Sequence, residues 1–135
     1  MDLNMIDFYY GDEQGLGKTM QAINIACIKK QQKNYKHCLI ICGVNGLKWN
    51  WKSEVEKHSD EQAYILGTRT RNKKEIIGSI EDRLQDLRAV EGLPYTFPYF
   101  IITNIETLRN EKIIEKLKEL CDKQIINMIV LDERT

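Results

Sequence analysis

Apolar and polar positions alternate between two textures along the 135-residue chain. Short, nearly continuous apolar runs occur at residues 6–10, 37–42, 63–66, 99–103 and 125–131. Their length and lack of alternation predict strands buried on both faces. The stretches between them carry helical spacing. Residues 20–30 read as a helical run after the first strand. Leu47, Trp51 and Val55 recur every fourth residue, Ile77, Ile80, Leu84 and Leu87 alternate three and four, and Ile113, Leu117 and Leu120 mark a further face. Strands alternating with helices predict an α/β fold with a parallel sheet covered on both faces. Residues 92–98 hold both prolines and a glycine, and predict a loop inside one domain.

Composition narrows the function classes. A chain of this length suits one domain able to bury a core without disulfides or structural metal. Hydrophobic residues make up 42% and charged residues 30%, a globular balance. Twenty basic residues against twenty acidic ones leave no net charge, so no whole-chain field draws in nucleic acid or a membrane. The longest apolar stretches, 38–42 and 128–131, are far short of a membrane span. The acidic N-terminus lacks the basic and apolar regions of a signal peptide, so the expectation is a cytoplasmic protein. Cys27, Cys38, Cys42 and Cys121 form no C-x-x-C pair and read as buried free thiols, and His37 and His58 show no metal-ligand spacing.

The first candidate chemistry lies between the first strand and the first helical run, where residues 10–19 read Tyr-Gly-Asp-Glu-Gln-Gly-Leu-Gly-Lys-Thr. A strand, a glycine-rich loop and a helix make the context of a phosphate-binding loop. Gly15 and Gly17 let backbone N–H groups approach phosphate oxygens without a Cβ in the way. The helix that follows points its positive end at the same anion. Gln14, Gly15, Leu16, Gly17, Lys18 and Thr19 are the candidate nucleotide-binding residues, with Lys18 reaching the β- and γ-phosphates and the Thr19 hydroxyl ligating Mg²⁺. Asp12 stands where the strict G-x-x-x-x-G-K-[ST] pattern has glycine.

The last apolar run ends in Asp132 and Glu133. Ligands of open α/β sheets gather at the carboxyl ends of the strands, which places this acidic pair beside the phosphate loop. Asp132 is the candidate Mg²⁺ ligand. Glu133 is the candidate group that orients or deprotonates the attacking water, and with Lys18 it forms the catalytic set for phosphoryl transfer from ATP to water.

The segment from Asp12 to Ile23, Asp-Glu-Gln-Gly-Leu-Gly-Lys-Thr-Met-Gln-Ala-Ile, closely resembles the Asp-Glu-x-Gly-Leu-Gly-Lys-Thr-x-Gln signature of Swi/Snf-type DNA-dependent ATPases, a branch of helicase superfamily two. The family itself has aspartate at position 12. The resemblance continues through residues 39–54, which end in Asn-Trp-x-x-Glu, with Gly43 in place of the usual proline. It continues again at residues 101–108, with Ile105 in place of the usual tyrosine, and at Asp132-Glu133, where Arg134-Thr135 replaces the Ala-His of the family's box.

The resemblance implies a three-layer RecA-like P-loop NTPase lobe with a mainly parallel central sheet, truncated at the C-terminus. Residues 1–135 would be the N-terminal ATP-binding lobe of a bacterial or phage double-stranded DNA translocase, using ATP and Mg²⁺, with the second RecA-like lobe absent. The loops at 43–46 and 103–104 would face the DNA backbone. Two other readings stand beside it: a nucleotide-binding or scaffold module without hydrolysis, and a P-loop ATPase of another branch.

In RecA-like lobes a strand following the acidic box inserts between the phosphate-loop strand and the acidic strand. Without it, three outcomes are expected: self-association through the open edge, direct pairing of the two strands in a distorted lobe, or a chain that is a piece of a longer polypeptide. Among weaker signals, Trp51 reads as core, and Trp49 as either a partner contact or a half-buried cap. Arg69, Arg71, Lys73 and Lys74 read as a solvated charge run in a loop, with phosphate contact as the alternative.

Overall fold

The computed structural model describes residues 6–11, 16–43, 46–92 and 96–133. Five parallel strands form the central sheet in the order β1-β7-β2-β6-β3, comprising β1 (Asp7–Gly11), β2 (Cys38–Cys42), β3 (Ala63–Ile65), β6 (Phe100–Asn104) and β7 (Met128–Asp132). A separate antiparallel hairpin joins β4 (Thr68–Arg71) to β5 (Lys74–Ile77). The helices are α1 (Leu16–Lys33), α2 (Gly46–His58), α3 (Ile80–Gly92) and α4 (Glu111–Asp122), with a 3₁₀ turn at Ile105–Arg109.

The order of connections decides which face each helix covers. The chain crosses from β1 to β2 to β3 in one direction, then returns through β6 to β7. Right-handed crossovers put helices of the outward run on one face and those of the return on the other. Accordingly Ala22, Ile23 and Ala26 of α1 and Trp51 and Val55 of α2 pack with Ile40, Ile102 and Val130 in one core. Leu84, Leu87 and Val90 of α3 and Ile113, Leu117 and Leu120 of α4 pack with Leu39 and Ile101 in the other. β2 and β6 are buried at every position, the polar Thr103 and Asn104 at the end of β6 included.

The direct pairing expected as one outcome for the phosphate-loop strand and the acidic strand is present. β1 lies parallel to β7 through five matched positions, from Asp7↔Met128 to Gly11↔Asp132.

Two sequence expectations need correction. The basic run at residues 69–74 is a hairpin, with Arg69 and Arg71 in β4, Lys74 in β5, and Asn72 and Lys73 turning the chain at φ 54° and 65°. Ile77 accordingly closes β5 and does not extend the α3 face. The hairpin is held by Asp86 of α3, whose Oδ2 accepts from the Tyr64 hydroxyl, the Gly67 N–H and Arg69 Nη1 at 2.9, 2.7 and 3.1 Å. Gly67 turns into β4 at φ 88°, where an added Cβ would stand 2.8 Å from Arg83 Cγ. The last strand is also shorter than expected: residues 125–127 precede it, with Ile125 and Ile126 buried and their N–H groups donating to the Leu120 carbonyl at the end of α4.

Candidate active site at the carboxyl edge

Strand register builds the site. β1, β7, β2 and β6 end in one row across the sheet, Gly11–Asp132–Cys42–Asn104. Neighbouring strands are about 4.8 Å apart, so groups from four distant sequence segments stand side by side. Gly11 leads into the glycine-rich loop, of which Asp12, Glu13, Gln14 and Gly15 lie outside the described residues. α1 starts at Leu16 and Gly17, so its N-terminal end opens toward the same edge. Among the described residues, its first turn contains no acidic residue. Lys18 is exposed and Thr19 is buried.

Asp132 is 3% exposed, and Trp51 Nε1 donates to its Oδ2 at 2.9 Å. Glu133 is exposed, and the Tyr10 hydroxyl donates to its Oε2 at 2.6 Å. Direct pairing of β1 with β7 is what brings Tyr10 and Glu133 within reach of each other. Each member of the acidic pair thus has an aromatic donor from another element, and the two differ sharply in contact with water.

The far half of the row is polar and buried. The Cys42 thiol donates to the Thr103 carbonyl at 3.3 Å. Asn104 Oδ1 accepts from the Thr107 hydroxyl at 2.6 Å, and Thr107 Oγ1 accepts from Arg83 Nη1 at 2.9 Å. Lys48, in the first turn of α2, is 1% exposed, and its Nζ has no hydrogen-bond partner among the described residues. Burial, and then the Arg83 guanidinium, push its pKa down to about 8, while Cys42 and Glu106 act weakly the other way. Arg83 Nε and Thr103 Oγ1 are likewise buried without hydrogen-bond partners among the described residues.

Sequence spacing assigns no role to Lys48, Arg83 or Thr107, and places Trp51 in the core with no indication of its hydrogen bond. A signal for Lys48 was present: positions 48, 51 and 55 are spaced three and four, so the lysine shares the buried stripe. Trp49 is 40% exposed and lies off that stripe. The histidines are structural: His37 is buried with Nδ1 donating to the Pro98 carbonyl at 2.9 Å, and His58 pairs with Glu54 at 2.8 Å. Of the cysteines, Cys27 is partly exposed, and Cys38, Cys42 and Cys121 are buried.

Among the described residues no group of three His, Cys, Asp or Glu side chains could hold a metal ion. Mg²⁺ bound together with a nucleotide takes one or two protein oxygens and completes its shell with phosphates and water. The Thr19 hydroxyl and the Asp132 carboxylate are hard oxygen donors of that kind. A polar recess of about 420 Å³ lined by Asp7, Lys33, Tyr35 and Asn127 opens at the opposite end of β1 and takes no part in this site. Among the described residues no helix is long and apolar enough to cross a membrane.

Comparison with known proteins supplies an independent line. The family described as SNF2-related domain matches residues 9–135. No curated protein matches the chain.

Proposed function

The chain belongs to the SNF2-related domain family, and from that premise we propose that it is the N-terminal, ATP-binding lobe of a double-stranded DNA translocase. The observation that supports this most is the register Gly11↔Asp132↔Cys42. It brings the stem of the glycine-rich loop, the start of α1 and the acidic pair to one edge of one sheet. In this reading the loop amides from Gln14 to Gly17 cradle the phosphates, and Lys18 neutralises charge at the β- and γ-positions. Thr19 and Asp132 hold the Mg²⁺ that accompanies ATP, which supplies charge neutralisation and geometry at the phosphoryl group. Glu133 orients the attacking water and receives its proton. The carboxyl-edge loops meet the DNA backbone, and a second lobe closes over the nucleotide.

Titration of a fluorescent ATP analogue tests the nucleotide site. Lys18→Ala should weaken binding at least tenfold without loss of stability, since Lys18 is exposed and surface changes cost within about 0.5 kcal/mol. Unchanged affinity would remove the phosphate loop from the proposal.

A second reading, nucleotide binding without hydrolysis, is favoured by the Tyr10–Glu133 hydrogen bond, which holds the candidate base on β1. Tyr10→Phe separates the two: a rise in ATP turnover supports a restrained catalytic base, and no turnover in either form supports the binding module. Self-association belongs to the same proposal. Among the described residues β1 pairs only with β7, and Phe8 and Tyr10 on it are more than half exposed. An apolar edge of this kind invites pairing with a second copy. Light scattering across a dilution series should show a concentration-dependent mass, and a constant monomer mass would rule it out.

A further inference from the structure

Asp132 is carried to the sheet edge by β7, but another element orients its side chain. The indole N–H of Trp51, from the middle of α2, donates to Asp132 Oδ2 at 2.9 Å, and both residues are 3% exposed. Indole offers one N–H and no acceptor, so this contact cannot be rearranged as a water or an amide could. Trp51 also sits in the core cluster that contains Cys42, Val55 and Val130, which restrains the ring. The core alone would be served by any large apolar side chain at position 51. The N–H serves the carboxylate.

We propose that Trp51 is a positioning residue for the metal-binding carboxylate: its N–H engages Oδ2 and sets the plane of the Asp132 side chain before a divalent cation arrives. Groups that orient a metal ligand from behind reduce metal affinity when removed, by roughly 10- to 100-fold. The inference rests on the assignment of Asp132 as a metal ligand made above. It adds a residue from the Asn-Trp segment, which in sequence is 81 positions away from the acidic pair.

The test uses the full 135-residue chain, Mn²⁺ in place of Mg²⁺, and a non-hydrolysable ATP analogue. Free Mn²⁺ is followed by electron paramagnetic resonance, and analogue binding is measured separately in the presence of a chelator. Trp51→Phe should raise the Mn²⁺ dissociation constant by roughly 10- to 100-fold and leave metal-free analogue binding unchanged. If Trp51→Phe binds Mn²⁺ as the unaltered chain does while Asp132→Asn loses it, the positioning role is wrong and the metal assignment stands. If Asp132→Asn also binds Mn²⁺ normally, both are wrong. A measurement on the unaltered chain covers the case in which Trp51→Phe does not fold. The Trp51 indole N–H resonance, distinguished from that of Trp49 by Trp49→Phe, should broaden when the Mn²⁺–analogue complex binds, and a sharp Trp51 resonance with the metal bound would overturn the inference.

Discussion

Replacing Lys48 by methionine should make the protein more stable. Lys48 is 1% exposed, its Nζ has no hydrogen-bond partner among the described residues, and Arg83 is close enough to oppose its charge further. Methionine keeps the length of the aliphatic stem and removes the ammonium, so packing changes little. Burial lowers the pKa from 10.5 to about 8. At 1.36 kcal/mol per pH unit, that difference puts the cost of the buried charge near neutral pH at about 3 kcal/mol. Folded proteins have only about 5–15 kcal/mol of net stability, so the gain should be easy to measure. The pH dependence is a sharper check. Because the folded value lies below the unfolded one, the unfolded chain binds more protons between pH 8 and 10.5, and the stability of the unaltered protein rises with pH across that window. Urea denaturation with matched m-values should therefore show Lys48→Met ahead by about 2–3 kcal/mol at pH 7, with the gap closing toward pH 10.5. A variant less stable than the parent at pH 7, or a gap independent of pH, would refute the account of Lys48 as an uncompensated buried cation.

Other outcomes follow from the same structure. Asp86→Ala should destabilise by about 3 kcal/mol in urea denaturation, because it strands the Gly67 N–H and frees Tyr64 and Arg69 together; a loss under about 1 kcal/mol would mean that the hairpin is held elsewhere. Glu91 is held well below its usual 4.5, at about 2, first by its hydrogen bond from Lys116 and then by Lys123. The stability from this cluster is present above pH 4.5 and lost as pH falls toward 2, so the stability difference between the parent and Glu91→Gln should shrink across that range, and a constant difference would exclude the linkage. Finally, the 135-residue chain should bind ATP but turn it over slowly. A catalytic arginine brought from outside a phosphate-loop lobe is worth roughly 10³–10⁵ in rate, and robust DNA-stimulated turnover by this chain would show that no such arginine is needed.

The fold class, the five strands of the central sheet and the helical faces at Trp51, Leu84 and Ile113 were legible in the sequence because each depends on a short-range period. Parallel strands covered on both faces cannot alternate, and helices on a sheet must repeat every three to four residues, so local spacing carried the information. The hairpin was not legible. Arg69, Arg71, Lys73 and Lys74 read as solvated charge because the group that captures Arg69 is Asp86, on a helix that follows later in the chain. The candidate residues are named one by one from local pattern: Lys18 and Thr19 from a glycine-rich turn, and Asp132 and Glu133 from carboxylates at the end of an apolar run. What only tertiary structure decided was their neighbours. Pairing β1 directly with β7 put Tyr10 on Glu133, and the helix–sheet packing of α2 put the indole of Trp51 on Asp132. These contacts join segments 123 and 81 residues apart. Local periodicity records which face a residue turns to the core, and it holds no information about which distant side chain will be waiting there.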